Sequence, residues 1–389
     1  MGTRVSAAGA DAGVVAPDRD RAVPGWLARA VVLGRPAGLY VASRPLVLGA
    51  VALTGRLGPP VSLSQGLLGW DGAWNLAVAR SGYPSSVPMA HGHVLSNPTP
   101  FFPLFPGLVR ALAFVPGVSL PVAGLLAAAL LGLAATVTVW ALCAHLWGHP
   151  AADRAAALFC FFPGALVLSM VYYEGLLVTL AAGCLLALRT RRWLAAGVLA
   201  GLATATSPLG VAVVAACAWE ALVAIRRRGE WWSLAAPALA PTGILAYLAF
   251  LWVRTGDPTI LFATERQGWH QHYLLSAPWK EAVAFVQHPF VGLNAGVMTL
   301  GAVFVIVTGA LLVRARAPGA LVVYTAVVVA LAAFSTVVGL RPRMVLVAFP
   351  LFAVLGYRVR GATFGALMGV WGAGTVLFGT VVVAGLIGP

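Results

Sequence analysis

Charged residues are scarce in this chain, where Asp, Glu, Lys and Arg make up only 9% of 389 residues and hydrophobic residues make up 60%. A soluble domain carries about 25% charged residues, which it needs to cover its surface. The shortage excludes a soluble globular protein. Together with a mean hydropathy of +0.92, it indicates that lipid is the solvent for most of the chain. We therefore predict an all-α polytopic membrane protein.

Cysteine pairs, nucleotide-binding loops and acidic clusters are missing too. The four cysteines lie in apolar runs without CxxC spacing, which predicts neither a disulfide nor a zinc site. The sequence has no Gly-rich phosphate loop and no dinucleotide fingerprint. Only eleven residues are acidic, and the His-x-His patterns at 91–93 and 270–272 have no matching carboxylates. We expect no metal and no cofactor.

The net charge of +14 does not by itself indicate a nucleic-acid partner. Most basic residues lie in short clusters between apolar runs, where arginine orients helices in the membrane, so we expect no nucleic acid. Residues 1–24 are polar and lack the uninterrupted apolar centre of a signal peptide. They predict a disordered cytoplasmic tail, followed by a single transmembrane domain over residues 25–389.

Apolar runs long enough to cross about 30 Å of hydrocarbon predict about eleven transmembrane helices. The spans are 37–56, 119–144, 155–171, 174–189, 193–207, 208–225, 233–253, 291–313, 318–338, 343–357 and 363–386. With these spans, all five arginine clusters (19–35, 189–192, 226–228, 314–316 and 358–360) fall on one side. The positive-inside rule makes that side cytoplasmic, which predicts a multi-pass protein of the cell membrane with an outer C-terminus.

The outer face receives the two longest loops, residues 57–118 and 254–290. Long irregular loops in compact proteins are usually functional, so we expect the active face to be extracytoplasmic. Six acidic residues lie in the tail or beside arginines, which explains them as solvated or charge-balancing groups. Five remain on the outer face: Asp71, Glu174, Asp257, Glu265 and Glu281.

Two of these carboxylates have both a functional and a structural interpretation. Asp71 lies between Trp70 and Trp74 near the bilayer surface, where it would be partly desolvated and available as a base. An Asp before a helical pattern is equally a good helix cap. Glu174 begins a span, so its charge needs a partner or a water-filled cavity. A helix N-terminus would offset part of the free-energy cost of placing that charge near hydrocarbon.

Arg341 and Arg343 stand at the outer end of a span, where positive charge is not needed for orientation. Guanidinium matches phosphate geometry, which predicts an anion partner; the alternative is snorkelling to the interface. In the second outer loop, the polar and aromatic segment 267–272 favours a sugar or phosphate pocket over a metal site.

Short motifs also occur in order over residues 66–355. They are Trp70-Asp71-Gly72-Ala73-Trp74 with Ser81-Gly82-Tyr83-Pro84, Phe101-Phe102-Pro103-Leu104-Phe105-Pro106, Phe162-Pro163 with Tyr172-Tyr173-Glu174, Leu202-Ala203-Thr204 with Pro208-x-Gly210, Gly256-Asp257-Pro258, and Arg341 ahead of Phe349-Pro350. Together they resemble the PIG-V family, the mannosyltransferases that add the second mannose to GPI anchors, and its bacterial relatives. The chain departs from the family pattern at Asn75, Ser207 and Pro342.

The resemblance implies a GT-C-type membrane glycosyltransferase that moves mannose from a polyprenyl-phosphate donor to a lipid or glycan hydroxyl, by a single inverting displacement. Asp71 would be the general base, Arg341, Arg343 and His270 would hold the phosphate, and Glu174 would bind sugar hydroxyls or position a basic partner. The predicted substrate-binding residues are Trp70, Trp74, Tyr83, Glu174, Gln267, Trp269, His270, Arg341 and Arg343. The alternatives are transfer of another lipid-phosphate sugar, arabinose or glucose, and a lipid or solute transporter without chemistry.

Overall fold

The computed structural model describes residues 25–57, 62–287 and 293–389, so the predicted tail lies outside the described residues. Regular structure in these ranges is almost entirely α-helical. The helices are α1 Gly25–Leu57, α2 Leu63–Leu68, α3 Asp71–Ser81, α4 Leu104–Leu112, α5 Leu120–Trp147, α6 His149–Phe161, α7 Glu174–Arg189, α8 Trp193–Thr204, α9 Val211–Arg228, α10 Ala235–Leu239, α11 Thr242–Thr255, α12 Ile260–Ala263, α13 Ala277–Gln287, α14 Leu293–Arg314, α15 Gly319–Ala333, α16 Pro342–Val347, α17 Pro350–Arg358 and α18 Gly361–Val383. A short antiparallel sheet, β1 Met89–Ala90 with β2 His93–Val94, lies within residues 57–118, the predicted first outer loop.

The predicted spans coincide with helices, but several of these helices are too short to cross a bilayer alone. Within the described residues, six helical segments have the length and apolar composition of a span, or seven if one bent pair counts as a span. Helices α8 and α15 are apolar but have only 12 and 15 residues, whereas a span needs about 20. The predicted number of about eleven is therefore not confirmed.

The bent pair consists of α6 and a 3-10 turn, Pro163–Ser169, which meet at 78°. A proline inside a helix has no N–H to donate, and its ring clashes with the preceding turn, so the helix breaks there. Arg44 of α1 donates to carbonyl groups on both sides of the break, to Cys160 at 3.2 Å and to Ala165 at 3.1 Å. The bend is therefore fixed by hydrogen bonds from a third helix.

Two glycines allow the segment that begins α16 to enter the core. A Cβ at Gly164 would overlap the carbonyl of Pro342, and a Cβ at Gly301 of α14 would overlap the carbonyl of Leu340. Only a residue without a Cβ permits such a close approach. The segment that carries both outer arginines is therefore held between the bend after α6 and the face of α14.

Small residues also bring α7 against α5. A Cβ at Gly175 would lie 3.0 Å from the backbone nitrogen of Gly132, so the two helices touch through their backbones. In lipid, helices associate through this kind of close van der Waals packing. The contact fixes the N-terminal end of α7, where Glu174 lies.

Candidate functional site

Three charged side chains from distant parts of the sequence meet in one cluster. Asp71 is the first residue of α3, Glu174 is the first residue of α7, and Arg343 lies in the first turn of α16. The Nη1 atom of Arg343 contacts Oδ2 of Asp71 and lies 3.7 Å from Oε1 of Glu174. The structure thus brings together three of the residues that the sequence singled out.

Asp71 lies inside the first turn of its helix and does not cap it. The N-cap residue is Trp70, with φ 55° and ψ −132°, a conformation that costs energy for a residue with a side chain. The indole of Trp70 is anchored by its N–H, which donates to the Val382 carbonyl at 3.3 Å. The backbone N–H of Asp71 donates to the hydroxyl of Tyr172 at 3.1 Å. Because the Asp71 carboxylate is paired with Arg343 and caps nothing, the geometry disagrees with the helix-cap alternative.

Glu174 is enclosed by the protein. Its exposed fraction is 0%, and neither carboxylate oxygen has a hydrogen-bond partner among the described residues. A buried carboxylate is costly unless an opposite charge is close, and the guanidinium of Arg343 supplies that charge. This geometry favours the role of positioning a basic partner over direct contact with sugar hydroxyls.

The two outer arginines point inward. Arg343 is 9% exposed and its guanidinium lies 5.5 Å from the ring centre of Tyr172, so snorkelling to the interface does not describe it. The Nε atoms of Arg341 and Arg343 are buried and have no hydrogen-bond partner among the described residues. Guanidinium groups with unused donors are suited to binding an anion such as phosphate.

A cavity of about 330 Å³ lies beside the charged cluster. Its charged lining residues are Asp71, Glu265, Arg341 and Arg343, and its aromatic lining residues are Trp70, Phe101, Tyr173, Trp269 and Tyr273. Ligand pockets in proteins typically combine apolar and aromatic walls with a few converging polar groups. This cavity is therefore the candidate active site.

Trp74 and Tyr83 support this cavity from behind. The ring of Trp74 stacks on Phe101 with centroids 6.0 Å apart and packs edge-on against Trp269 at 5.3 Å. Tyr83 is buried, and its hydroxyl donates to the carbonyl of Phe101. They line a separate cavity of about 380 Å³, and their expected role in binding substrate stays a prediction. They hold in place the two aromatic residues that line the candidate active site.

Gln267 and His270 face a second cavity, of about 500 Å³, which His93 also lines. The side-chain oxygen of Gln267 accepts a hydrogen bond from the backbone N–H of Val94 at 2.8 Å, so Gln267 joins the two outer loops. His270 has φ 55°, and the tight turn there separates its side chain from Trp269. The structure thus places His270 in a different cavity from Arg341 and Arg343, and shared binding of one phosphate is not supported.

Glu265 is a cavity residue to which sequence patterns gave no role. It lies in a single turn of π-helix, Thr264–Gly268, in the second outer loop, and burial raises the pKa of its carboxyl group. The available signal was its place among the five outer carboxylates, close to aromatic residues. The burial of a loop residue leaves no periodic pattern, so the sequence could not distinguish it from a solvated glutamate.

The polar groups of the cavity offer two kinds of chemistry. Arg341 and Arg343 can bind an anion, and the carboxylates of Asp71 and Glu265 can accept a proton or a hydrogen bond. Within the described residues, no group of three or more His, Cys, Asp and Glu side chains is arranged to hold a metal ion.

Comparisons with known proteins show the fold. No protein-family model matches the sequence and no curated protein matches it. The structure is similar to ArnT from Cupriavidus metallidurans bound to undecaprenyl phosphate, with TM-score 0.51 and 15% identity over 85% of this chain and 62% of that one. It is also similar to ArnT in the apo state, with TM-score 0.50 and 16% identity over 79% of this chain and 57% of that one.

The chain thus spans about three fifths of the length of the structures it matches. At this identity the likeness shows the fold alone. The prediction of an all-α, polytopic, GT-C-type membrane fold is confirmed, whereas the narrower resemblance to the PIG-V family stays a prediction.

Proposed function

We propose that this chain is a membrane glycosyltransferase that moves mannose from a polyprenyl-phosphate donor to a hydroxyl group of a lipid or glycan acceptor. The observation that carries this proposal is the cavity in which the Asp71–Arg343 pair, Arg341 and an aromatic wall come together. The fold supports it, because ArnT, which has a similar fold, has been solved with bound undecaprenyl phosphate.

The two arginines bind the donor phosphate. Arg343 is held in place by Asp71 and Glu174, so its orientation does not depend on the ligand. Arg341 precedes α16 and is not paired with a carboxylate among the described residues. A phosphodiester approaching this side of the cavity finds Arg341 free to form the bidentate contact for which guanidinium is suited.

Asp71 is the general base of the transfer. Its Oδ2 contacts Arg343, which leaves Oδ1 to take the proton of the acceptor hydroxyl. As that oxygen attacks the anomeric carbon, the bond from this carbon to the phosphate oxygen breaks and the phosphate leaves as an anion beside the arginines. The leaving group needs little protonation, so one base is sufficient. A single displacement of this kind inverts the anomeric carbon.

An apolar groove beside the arginine segment fits the polyprenyl tail. It has a volume of about 480 Å³ and is lined by side chains of α14 and α18, including Phe304 and Trp371, and by Pro342. Pro342 lies between the two arginines in sequence, so the groove starts next to the phosphate-binding side chains. A lipid with a phosphate headgroup has the matching distribution of polar and apolar parts.

The choice of mannose and of the outer face is supported by the sequence. The ordered motifs resemble mannosyltransferases, and the arginine clusters place both long loops outside the cytoplasm. The four native cysteines are buried, so single cysteines at positions 227 and 275 can be labelled against a low background. We expect position 227 to react only from the cytoplasm and position 275 only from outside; the reverse pattern contradicts the orientation.

The decisive experiment is transfer by purified protein in lipid. Radiolabelled polyprenyl-phosphate mannose is supplied with a native lipid extract, and parallel reactions contain polyprenyl-phosphate arabinose or glucose. We expect a labelled lipid or glycan product with the mannose donor and much less with the other two. Transfer with a different sugar would correct the donor. Absence of transfer with all three, although donor lipids bind, would favour the transporter alternative.

A further inference from the structure

One carboxylate on the cavity wall is not paired with either arginine. Glu265 lines the same cavity as Asp71, Arg341 and Arg343, but within the described residues its carboxyl group takes part in no ion pair and no hydrogen bond. Burial raises the pKa of its carboxyl group. The charged lining of the cavity thus consists of Arg341, the Asp71–Arg343 ion pair and the unpaired carboxylate of Glu265.

Three other polar side chains of the cavity wall are already satisfied within the protein. Gln271 and Ser335 exchange two hydrogen bonds, at 2.8 and 3.0 Å, and the indole N–H of Trp269 donates to the carbonyl of Asn97 at 3.1 Å. A ligand hydroxyl in this cavity can thus meet the carboxylate of Glu265, and the aromatic rings of Trp269 and Tyr273 line the same cavity. This pairing of an aromatic face and a hydrogen-bond acceptor suits a sugar ring.

The backbone that carries Glu265 is fixed to the first outer loop. Thr264, the preceding residue, accepts a hydrogen bond at its hydroxyl from the side chain of Asn97 at 3.1 Å. Gly268 at the end of the same π-turn lies so close to the Leu95 carbonyl that a Cβ would be 2.7 Å from it. Isolated π-turns are frequent at functional sites. A binding group on such a braced turn is held in position before the ligand arrives.

We propose that Glu265 accepts hydrogen bonds from hydroxyl groups of the sugar carried by the donor lipid, and so contributes to the choice of sugar. This inference rests on the proposed function, in which the arginines hold the donor phosphate. Once the phosphate is fixed at the arginines, the sugar attached to it extends into the cavity, whose wall includes Glu265 and Trp269. The lipid without its sugar does not reach Glu265.

The test is a binding measurement that needs no turnover. Short-chain polyprenyl-phosphate mannose and the same polyprenyl phosphate without sugar are titrated into the wild-type protein in lipid nanodiscs. Glu265→Gln keeps the shape of the side chain but removes its charge, and hydrogen bonds to charged groups are the stronger ones. We expect the Kd of the mannose lipid to rise about tenfold, while the Kd of the sugar-free lipid stays within about twofold.

Two control variants show whether a change in Kd is specific to Glu265 and to the sugar. Asp257→Asn changes another outer-loop carboxylate, which accepts hydrogen bonds from Thr259, and should leave both Kd values unchanged. Arg341→Lys should weaken both lipids, because the phosphate is common to them. Unchanged sugar-free binding by Glu265→Gln also shows that the variant is folded and that its cavity is intact.

Three outcomes would overturn the assignment of Glu265. Equal binding of the mannose lipid by wild type and Glu265→Gln means that the carboxylate does not touch the donor sugar. An equal loss for both lipids means that Glu265 maintains the cavity. A change confined to the acceptor KM in the transfer assay means that it binds the acceptor. If the wild-type protein binds neither lipid, the proposed function itself fails, a result distinct from these three.

Discussion

Two arginines surrounded by apolar helices show different ways of keeping a charge inside this protein. Arg44 lies within α1, and its N–H groups donate to two backbone carbonyls and to the hydroxyls of Ser43 and Ser169 at 2.9–3.2 Å. Arg343 lies between the carboxylates of Asp71 and Glu174, and its Nε has no partner among the described residues. Arg44 is saturated by neutral groups, whereas Arg343 retains an unused donor beside a cavity.

We interpret this difference as one between a structural charge, Arg44, and a functional one, Arg343. An ionisable residue within a membrane span is by default a candidate for function, and by that rule Arg44 and Arg343 are equivalent. Their partners distinguish them. All hydrogen bonds of Arg44 go to neutral groups, and two of them fix the helix break. Arg343 is paired with two carboxylates instead, and both Arg343 and Asp71 line a cavity in which they can contact a ligand. Substitutions at the two sites can test this distinction.

The largest effect is expected from removing the negative charge that pairs with Arg343. Asp71→Asn keeps the size of the side chain and most of its hydrogen bonding but cannot take a proton. We expect transfer to fall by about 10²-fold or more, with normal membrane insertion and donor binding within a few-fold. The measurement is initial transfer rate with polyprenyl-phosphate mannose, normalised to folded protein.

Asp257→Asn is the matched control, because it makes the same chemical change at an outer carboxylate away from the cavity. If Asp71→Asn transfers at a near-normal rate, Asp71 is not the base. The pairing with Arg343 would then be structural, like the contacts of Arg44, and Glu174 and Glu265 would be the remaining carboxylates to test.

How much the sequence could predict differs between the helices and the site. Apolar runs and arginine clusters located the helices, and α7 begins and ends at the predicted residues 174 and 189. The importance of Asp71, Glu174 and Arg343 was predicted from their types and flanking motifs. Which of them touch was not predictable, because Asp71 and Arg343 are 272 residues apart and only the packed fold sets that contact.

The features that the sequence did not predict have the same physical origin. Helix α15 is apolar enough for a membrane span but ends early, at Ala333, where Leu331 and Ala332 line the cavity. Gln267, Trp269 and His270 were grouped as one pocket because they are adjacent in sequence. The turn at His270 sends adjacent side chains into different cavities, and no residue pattern predicts a positive φ at a histidine.

A glycine pair on one helix provides a second test, with a smaller expected effect. Gly301 of α14 touches the carbonyl of Leu340, directly before the arginine segment, whereas Gly309 of the same helix has open space around it. Gly301→Ala should displace the arginine segment and lower transfer about tenfold, since small misplacements near a reacting centre are costly. Gly309→Ala should leave transfer within about twofold, because helical alanine is well tolerated.

The comparison of these two glycine variants should include thermal stability. A loss of transfer in Gly301→Ala with donor binding weakened in proportion supports displacement of the arginines. Equal behaviour of both alanine variants would show that α14 can adjust, and that Leu340 does not transmit the position of α14 to the site.

The pH dependence of donor binding should distinguish the cavity from the environment of Arg44, whose hydrogen-bond partners do not titrate near neutrality. Burial raises the pKa of Glu265 above its ordinary value of 4.5, and the ionised form is the better acceptor for sugar hydroxyls. As pH falls through that raised pKa, binding of the mannose lipid should weaken by a few-fold, and Glu265→Gln should abolish this change. A pH profile identical in wild type and Glu265→Gln would contradict the assignment.

The smallest effect on transfer is expected from Arg44, although it makes more hydrogen bonds than Arg343. Arg44→Met fills a similar space but leaves the Cys160 and Ala165 carbonyls without these donors at the bend after α6. Lost hydrogen bonds to a charged group cost about 1.5–3 kcal/mol each, so the thermal midpoint should fall by about 5 °C or more. Transfer per folded molecule should stay within about threefold. Arg56→Met, at the exposed end of the same helix, should change neither quantity.

If Arg44→Met instead lowers transfer as strongly as Asp71→Asn while the fold persists, then the bend transmits its position through Gly164 to the Pro342 backbone. The separation between a structural and a functional arginine would then be wrong for this protein.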